Sequence, residues 1–182
     1  AQIRAGREAN TIAGGMGGGN TTYNGQETGF VGRGNTHSLT AEQKTNMMKV
    51  YNAAISNGLS YQQASAFTAE VGRENSFRGE MFGVHTDPHN RVTNAGMLSW
   101  QGDRKQDLDR WMRQKGMVNR DGSYRTDQAG VNAQMAFALN EINNNKRFSK
   151  TATHFLNNPD VSYDRAKSIL GKNYIAWRYN DQ

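Results

Sequence analysis

The sequence predicts a mainly α fold of the α+β kind, with one small β-hairpin region placed after the second helix. Three observations carry this. Apolar residues recur at helical spacing over most of residues 39–170. Two Ser/Thr-x-x-Gln signatures, Thr40 with Gln43 and Ser60 with Gln63, each stand just before such a run. The helical pattern breaks once at length, over residues 75–95, into Gly, Pro, Asn, Asp and Thr.

Taken in order, Met47, Tyr51, Ala54 and Ile55 give the first helix its apolar face, and Gly58 stops it. Ser60 opens the second helix, which turns Phe67, Val71 and its alanines inward. The break at residues 75–95 suits a hairpin or a long functional loop. A third helix is expected over residues 104–115, with Leu108, Trp111 and Met112 inward, Gly116 as its stop and Asp103 as its cap. A long fourth helix, residues 127–144, carries Val131, Met135, Ala138 and Ile142 on one face. Shorter helices follow over residues 150–157 and 163–170, the latter capped by Ser162. The ending NYIAWRYNDQ reads as a strand or a packed extension.

Residues 1–37 hold half of the 20 glycines in the 182-residue chain, including GGMGGGN at residues 14–20. Such a composition buries too little surface to offset its ordering entropy. It is read as a flexible leader ahead of a single domain, residues 38–182. A phosphate-cradling loop is excluded because no GxxxxGK[ST] pattern surrounds these glycines. Hydrophobic residues make up 35% of the chain and mean hydropathy is −0.86. No apolar run approaches the ~18 residues needed to span a bilayer, and the first residues lack a hydrophobic signal core. With no cysteine, disulfides, zinc thiolates and thiol nucleophiles are excluded. The net charge of +6 and pI of about 9.7 favour polyanionic partners such as an acidic cell wall, nucleic acid or anionic lipid, or simply mark a soluble basic protein.

The stretch AEVGRENSFRGEMFGVHTDPH, residues 69–89, gathers three glutamates, two histidines and an aspartate. Phe67, Glu70, Val71 and Glu74 lie at i, i+3, i+4 and i+7, so Glu74 continues an apolar stripe where a leucine would be ordinary. Burial against that stripe and the negative end of the helix dipole both disfavour its carboxylate. A carboxyl kept protonated near neutral pH can act as a general acid. The alternative is an exposed helix-end glutamate paired with Arg73 or Arg78.

GLSYQQASAFTAEVGRENSF, residues 58–77, resembles the opening of phage-tail lysozymes within the lysozyme-like superfamily of goose-type lysozymes and lytic transglycosylases. There a helix beginning at a GLS-type turn delivers a catalytic glutamate in an ESGF-type context, and ENSF here puts that glutamate at Glu74. AGMLSWQGDRKQDLDRWMRQKG, residues 95–116, looks like the family's GLxQW segment that closes the β-region. VNAQMAFALNEI and LNNPDVSYDRAKSI look like its later helices. The resemblance covers residues 39–179. It departs in two places: the glutamine before the tryptophan is Ser99, and ESG has become ENS.

The resemblance implies a peptidoglycan hydrolase cleaving the β-1,4 bond between N-acetylmuramic acid and N-acetylglucosamine, with Glu74 protonating the leaving oxygen. A partner carboxylate then stands at roughly 5–5.5 Å in a retaining enzyme, or roughly 6.5–9.5 Å in an inverting one. Asp87 is the first choice, since it falls in the segment that would face Glu74 and goose-type lysozymes place an aspartate in that region. Asp87-Pro88 is also an ordinary turn dipeptide. Glu80 is nearer in sequence and is read as staying on the same side as Glu74.

Asn75, Ser99 and Gln101 are candidates to hydrogen-bond glycan hydroxyls, as is His85. His85 and His89 flank Asp87 in HTDPH, but their spacing fits no established zinc signature, so no metal and no cofactor is expected. Trp100 either stacks on a sugar, supports the cleft loop or belongs to the core, and Trp111 is read as core. Ser76 has no histidine-acid pattern around it. Arg104, Lys105 and Arg110 form a basic helix face, useful against an acidic wall or merely solvated.

Alternative activities are lytic transglycosylase, glucosaminidase, or a wall-binding module without catalysis. A nucleic-acid-binding helical domain is a further rival, but no recognition-helix pattern supports it and no nucleic-acid partner or membrane insertion is expected. The setting is a phage virion or tail protein, or a secreted antibacterial toxin. A toxin would act in a rival's periplasm and bring a cognate immunity protein; the chain itself is read as a monomer.

Overall fold

In the computed structural model of the chain, the described residues are 22–23, 26–27, 39–88 and 91–175. The leader read from residues 1–37 lies outside them, apart from two short strands, β1 (Thr22–Tyr23) and β2 (Gln26–Glu27), paired antiparallel.

The remainder is mainly α, as the periodicity predicts. Helix α1 (Ala41–Ser56) begins at Thr40 and α2 (Tyr61–Asn75) at Ser60, and both capping boxes form: each hydroxyl accepts from the glutamine amide N–H while the glutamine side chain accepts from the cap N–H. Such a cap is worth about 1 kcal/mol. Gly58 follows α1 at φ +90°, a left-handed turn that only glycine enters without strain.

Helix α2 is the central helix. Eleven of its fifteen residues are buried, and it packs on α1 and on α6 (Tyr163–Leu170). Its run of Ala64, Ser65, Ala66, Ala69 and Gly72 is narrow enough to admit neighbours on several sides, while Phe67 fills the space against Phe155 and Tyr174. Burying Phe67 contributes about 1.5–3 kcal/mol.

After α2 the chain makes a 3₁₀ turn, Gly79–Phe82, and then a hairpin of β3 (Val84–Thr86) with β4 (Thr93–Ala95), in the register Val84–Ala95, His85–Asn94, Thr86–Thr93. This is the predicted β-region. A second, tighter bend bridges Ala95 to Trp100 and leads into α3 (Gly102–Gln114). Gly96 at φ +74° is required there: a Cβ would stand 2.8 Å from the Trp100 ring.

Asp103 is not the cap of α3. Gln101 holds that position without a side-chain hydrogen bond, and Asp103 sits in the first turn, where its charge still suits the positive end of the helix dipole. The predicted basic face of α3 is a set of ion pairs instead, Lys105 with Asp109, Arg110 with Asp107 and Arg104 with Glu141. Helix α4 (Gln128–Asn144) runs from an Asp127 cap and packs on α1 and α3.

The short helix α5 (Ser149–Thr151) loosens into a π-helical turn, Ala152–Leu156, and α6 into another, Gly171–Ile175. The start of NYIAWRYNDQ is therefore helical, and residues 176–182 lie outside the described ones. Among the described residues, no helix is long and apolar enough to cross a membrane.

Candidate active site

Glu74 stands in the last turn of α2. Phe67, Glu70 and Val71 on the same face are buried, and Glu74 itself, at the end of that stripe, is half-buried. It opens into a cleft of about 800 Å³, large enough for a segment of a polymeric ligand. Burial is the main reason its carboxyl is held above the ordinary glutamate range. The charge of Glu70 one turn back raises it further, and a hydrogen bond with the Ser99 side chain pulls the other way.

The turn after Glu74 is unusual. Ser76 and Phe77 both have left-handed backbones, at φ 54° and 57°. Non-glycine residues resist this conformation, and amide side chains hold it. Asn75 Oδ1 accepts from Phe77 N–H (2.8 Å), Asn46 Nδ2 donates to the Phe77 carbonyl (2.9 Å), and Gln43 Nε2 donates to that of Ser76 (3.0 Å). Asn75 Nδ2 donates to the Met97 carbonyl (2.9 Å) in the Ala95–Trp100 bend. Asn75 is thus buried and fully engaged with the backbone. It does not line the cleft where a glycan hydroxyl would reach it, because adjacent helical side chains point about 100° apart.

Gln134 of α4, fully buried, completes this bracing. Its Oε1 accepts from Met97 N–H (2.9 Å) and its Nε2 donates to the Phe82 carbonyl (2.8 Å). The floor of the cleft is therefore pinned from α1, α2 and α4 together.

The hairpin supplies more of the cleft lining. Asp87 and His85 both line the cleft, half-buried, with Asp87 at the start of the hairpin loop. The Asp87 backbone closes that loop: its N–H donates to Val92 and its carbonyl accepts from Arg91 N–H. His89 lies outside the described residues. Ser99 and Gln101 reach the cleft from the bend and the start of α3, and the 3₁₀ turn contributes exposed Glu80, 3.8 Å from Arg78.

Trp100 borders the cleft but is 1% exposed. Its ring meets Phe137 edge-on at 5.3 Å and its indole N–H donates to Glu141 (3.3 Å), so it supports the bend and offers no open face for sugar stacking. Trp111 is half-buried, against Phe137, and donates to the Ala133 carbonyl (2.9 Å).

Sequence reasoning missed four features of this cleft. Arg104, Arg147 and Ile175 reach it from α3, from the turn before α5 and from the last π-helical turn. Arg104 makes a bidentate pair with Glu141 at 2.7 Å, and Glu141 also accepts from the Tyr174 hydroxyl (2.8 Å). The fourth feature is Asn94. It is 5% exposed and lines the cleft, yet its Oδ1 has no hydrogen-bond partner among the described residues. In the sequence Arg104 reads only as part of a basic helix face, and no signal marks the other three, because each place in the cleft depends on packing between distant segments.

With this geometry in place, comparison with protein families gives a match. The family model described as phage tail lysozyme covers residues 45–173, well over half the chain. The chain belongs to the phage tail lysozyme family. Membership makes it a lysozyme-like cell-wall hydrolase of the glycosidase type. No curated protein and no solved structure gave a match. The match includes α2, the hairpin, both bends and α4, while Gln43 of α1 and Ile175 lie just outside it.

Proposed function

We propose that this phage tail lysozyme cleaves the β-1,4 bond between N-acetylmuramic acid and N-acetylglucosamine in peptidoglycan, with Glu74 as the general acid. The observation that carries the reading is a carboxyl biased toward its protonated form by burial at the end of an apolar helix stripe, opening into a cleft whose lining includes a second carboxylate, Asp87. Glu74 delivers its proton to the glycosidic oxygen as the C–O bond breaks. Asp87 stabilises the oxocarbenium-like sugar or activates the attacking water.

Gln101, exposed at the cleft mouth, hydrogen-bonds the glycan strand. The setting we assign is a virion tail component acting at the cell wall. A secreted toxin built on the same domain would in addition need an inhibitor seated over the cleft.

The test is lysis of purified cell walls with mass spectrometry of the products. The wild type is expected to release fragments with reducing muramic ends, and Glu74→Gln to be slower by about 10²–10⁴-fold. Anhydro-muramic ends would replace hydrolysis by transglycosylation. Reducing glucosamine ends would move the cut to the other bond, and full lysis by Glu74→Gln would remove Glu74 from the mechanism.

A further inference from the structure

A second groove, of about 810 Å³, runs between α3 and α4 and is joined to the cleft that holds Glu74. Arg104 lines both cavities. Of the chain neighbours Lys146 and Arg147, the first lines the groove and the second the cleft. The 3₁₀ turn Lys146–Phe148 and Arg104 therefore form a saddle between the two.

Five Lys and Arg side chains line these cavities, and they divide by their partners. Arg78 stands 3.8 Å from Glu80, Arg104 is forked onto Glu141 at 2.7 Å, and Arg110 lies 3.0 Å from Asp107. Lys146 and Arg147, both exposed, have no carboxylate partner among the described residues, and their side chains donate no hydrogen bond there. The saddle thus carries two adjacent cations whose charge is left for a ligand.

Their place is fixed by the fold. Asn145 Oδ1 accepts from Arg147 N–H (3.0 Å), and the Asn145 carbonyl accepts from Phe148 N–H (2.8 Å), which closes the turn. The Arg147 guanidinium lies 5.5 Å from the centre of the Phe148 ring. That ring is buried and meets Tyr174 edge-on at 5.0 Å. A contact of this kind orients a guanidinium and leaves its N–H donors free for an anion.

We propose that Lys146 and Arg147 bind a carboxylate of the peptide branch of peptidoglycan, where the branch leaves the cleft and enters the α3–α4 groove. The inference rests on peptidoglycan being the substrate. Muramic residues of that polymer carry, on the lactyl group, a short peptide with free carboxylates. A strand lying in the cleft therefore needs a second cavity, joined to the first, for its branch. An unbranched glycan would need the cleft alone. The groove suits a peptide: Trp111 and Phe137 give it apolar lining, and Gln114 and Asn140 offer amides that can pair with peptide N–H and C=O groups. A guanidinium and an ammonium side by side suit the carboxylate at its entrance.

Calorimetric titration tests the subsite with N-acetylglucosaminyl-N-acetylmuramic acid bearing its peptide, a fragment with no muramyl bond to cleave. The full chain is expected to bind it about 3- to 10-fold more tightly than the same fragment with its carboxylates converted to amides. The preference should shrink at about 1 M salt, where exposed charges are screened. In Lys146→Gln/Arg147→Gln both fragments are expected to bind alike, at the weaker value. Equal binding of the amide form by parent and variant then shows that the fold is kept. A parent chain that binds both fragments equally overturns the subsite, and so does a preference that survives the double substitution.

The path of the branch has its own readout. The side-chain amide signals of Gln114 and Asn140 are expected to shift in NMR with the peptide-bearing fragment and to stay in place with oligomers of N-acetylglucosamine. Signals that stay in place with both overturn the route through the groove. Failure of the underlying reading looks different: neither muramic fragment binds at all, and the subsite falls with it.

Discussion

Glu74 shows how one residue's position trades stability for chemistry. Its carboxyl is raised above the ordinary glutamate value near 4.5 by burial first, with Glu70 adding to it. A raised acid stays protonated in the folded chain at pH values where the unfolded chain has already ionised. The unfolded state therefore binds fewer protons there, and stability falls as pH rises from about 4.5 through the folded midpoint, with no further change above it. Glu74→Gln removes this penalty. It is expected to raise Tm at neutral pH while slowing lysis by about 10²–10⁴-fold, and the gain should vanish as the pH is lowered toward 4.5. A thermal scan of both proteins over pH checks this, and an equal Tm at neutral pH would contradict the buried-acid reading. Asn94 makes a second residue-scale case. Its buried Oδ1 has no hydrogen-bond partner among the described residues, so Asn94→Leu should leave Tm unchanged or higher in the same thermal scan.

At the scale of elements, the cleft depends on how α2 ends. A helix normally leaves through one left-handed residue, preferably glycine, but here Ser76 and Phe77 both take that conformation under the hold of Asn75, Asn46 and Gln43. Ser76→Gly should therefore stabilise the protein by about 1 kcal/mol. Asn75→Ala, which orphans the Met97 carbonyl and the Phe77 N–H, should cost about 2–4 kcal/mol and lower activity along with Tm. Chemical denaturation of the pair gives opposite signs if the turn is held as described. This turn also marks the limit of what the sequence discloses. The stripe ending at Glu74 and the two capping boxes were legible because they repeat at 3.6 residues or sit at fixed offsets. Asn75 turns its amide to the backbone and not to the cleft, because neighbours in sequence are not neighbours on a helix face. Arg147 and Ile175 were invisible because they reach the cleft only through the packing of the last helices, and the two π-helical turns left no local signature.

For the whole molecule, the question is which residues the fold needs. Every described core residue falls between Met47 and Tyr174, and the family match spans residues 45–173. Leu39 still packs against the core, and Thr40 forms the capping box of α1 through Gln43. The domain required for folding is therefore expected to begin at Leu39, a few residues ahead of the family boundary. A chain of residues 39–182 is expected to melt within about 2 °C of the full chain and to lyse walls at the same rate, since a loss of 1 kcal/mol would shift Tm by about 2–4 °C at this size. A chain beginning at residue 45 keeps the whole family match but loses Thr40 and Gln43. Removing a cap of this kind costs about 0.5–2 kcal/mol, and Gln43 also holds the Ser76 carbonyl beside Glu74 (3.0 Å). The shorter chain should therefore melt several degrees lower and turn over more slowly on walls. Equal behaviour of the two truncations would show that α1 needs no cap. A large loss already at residue 39 would show that the glycine-rich segment contributes to the fold.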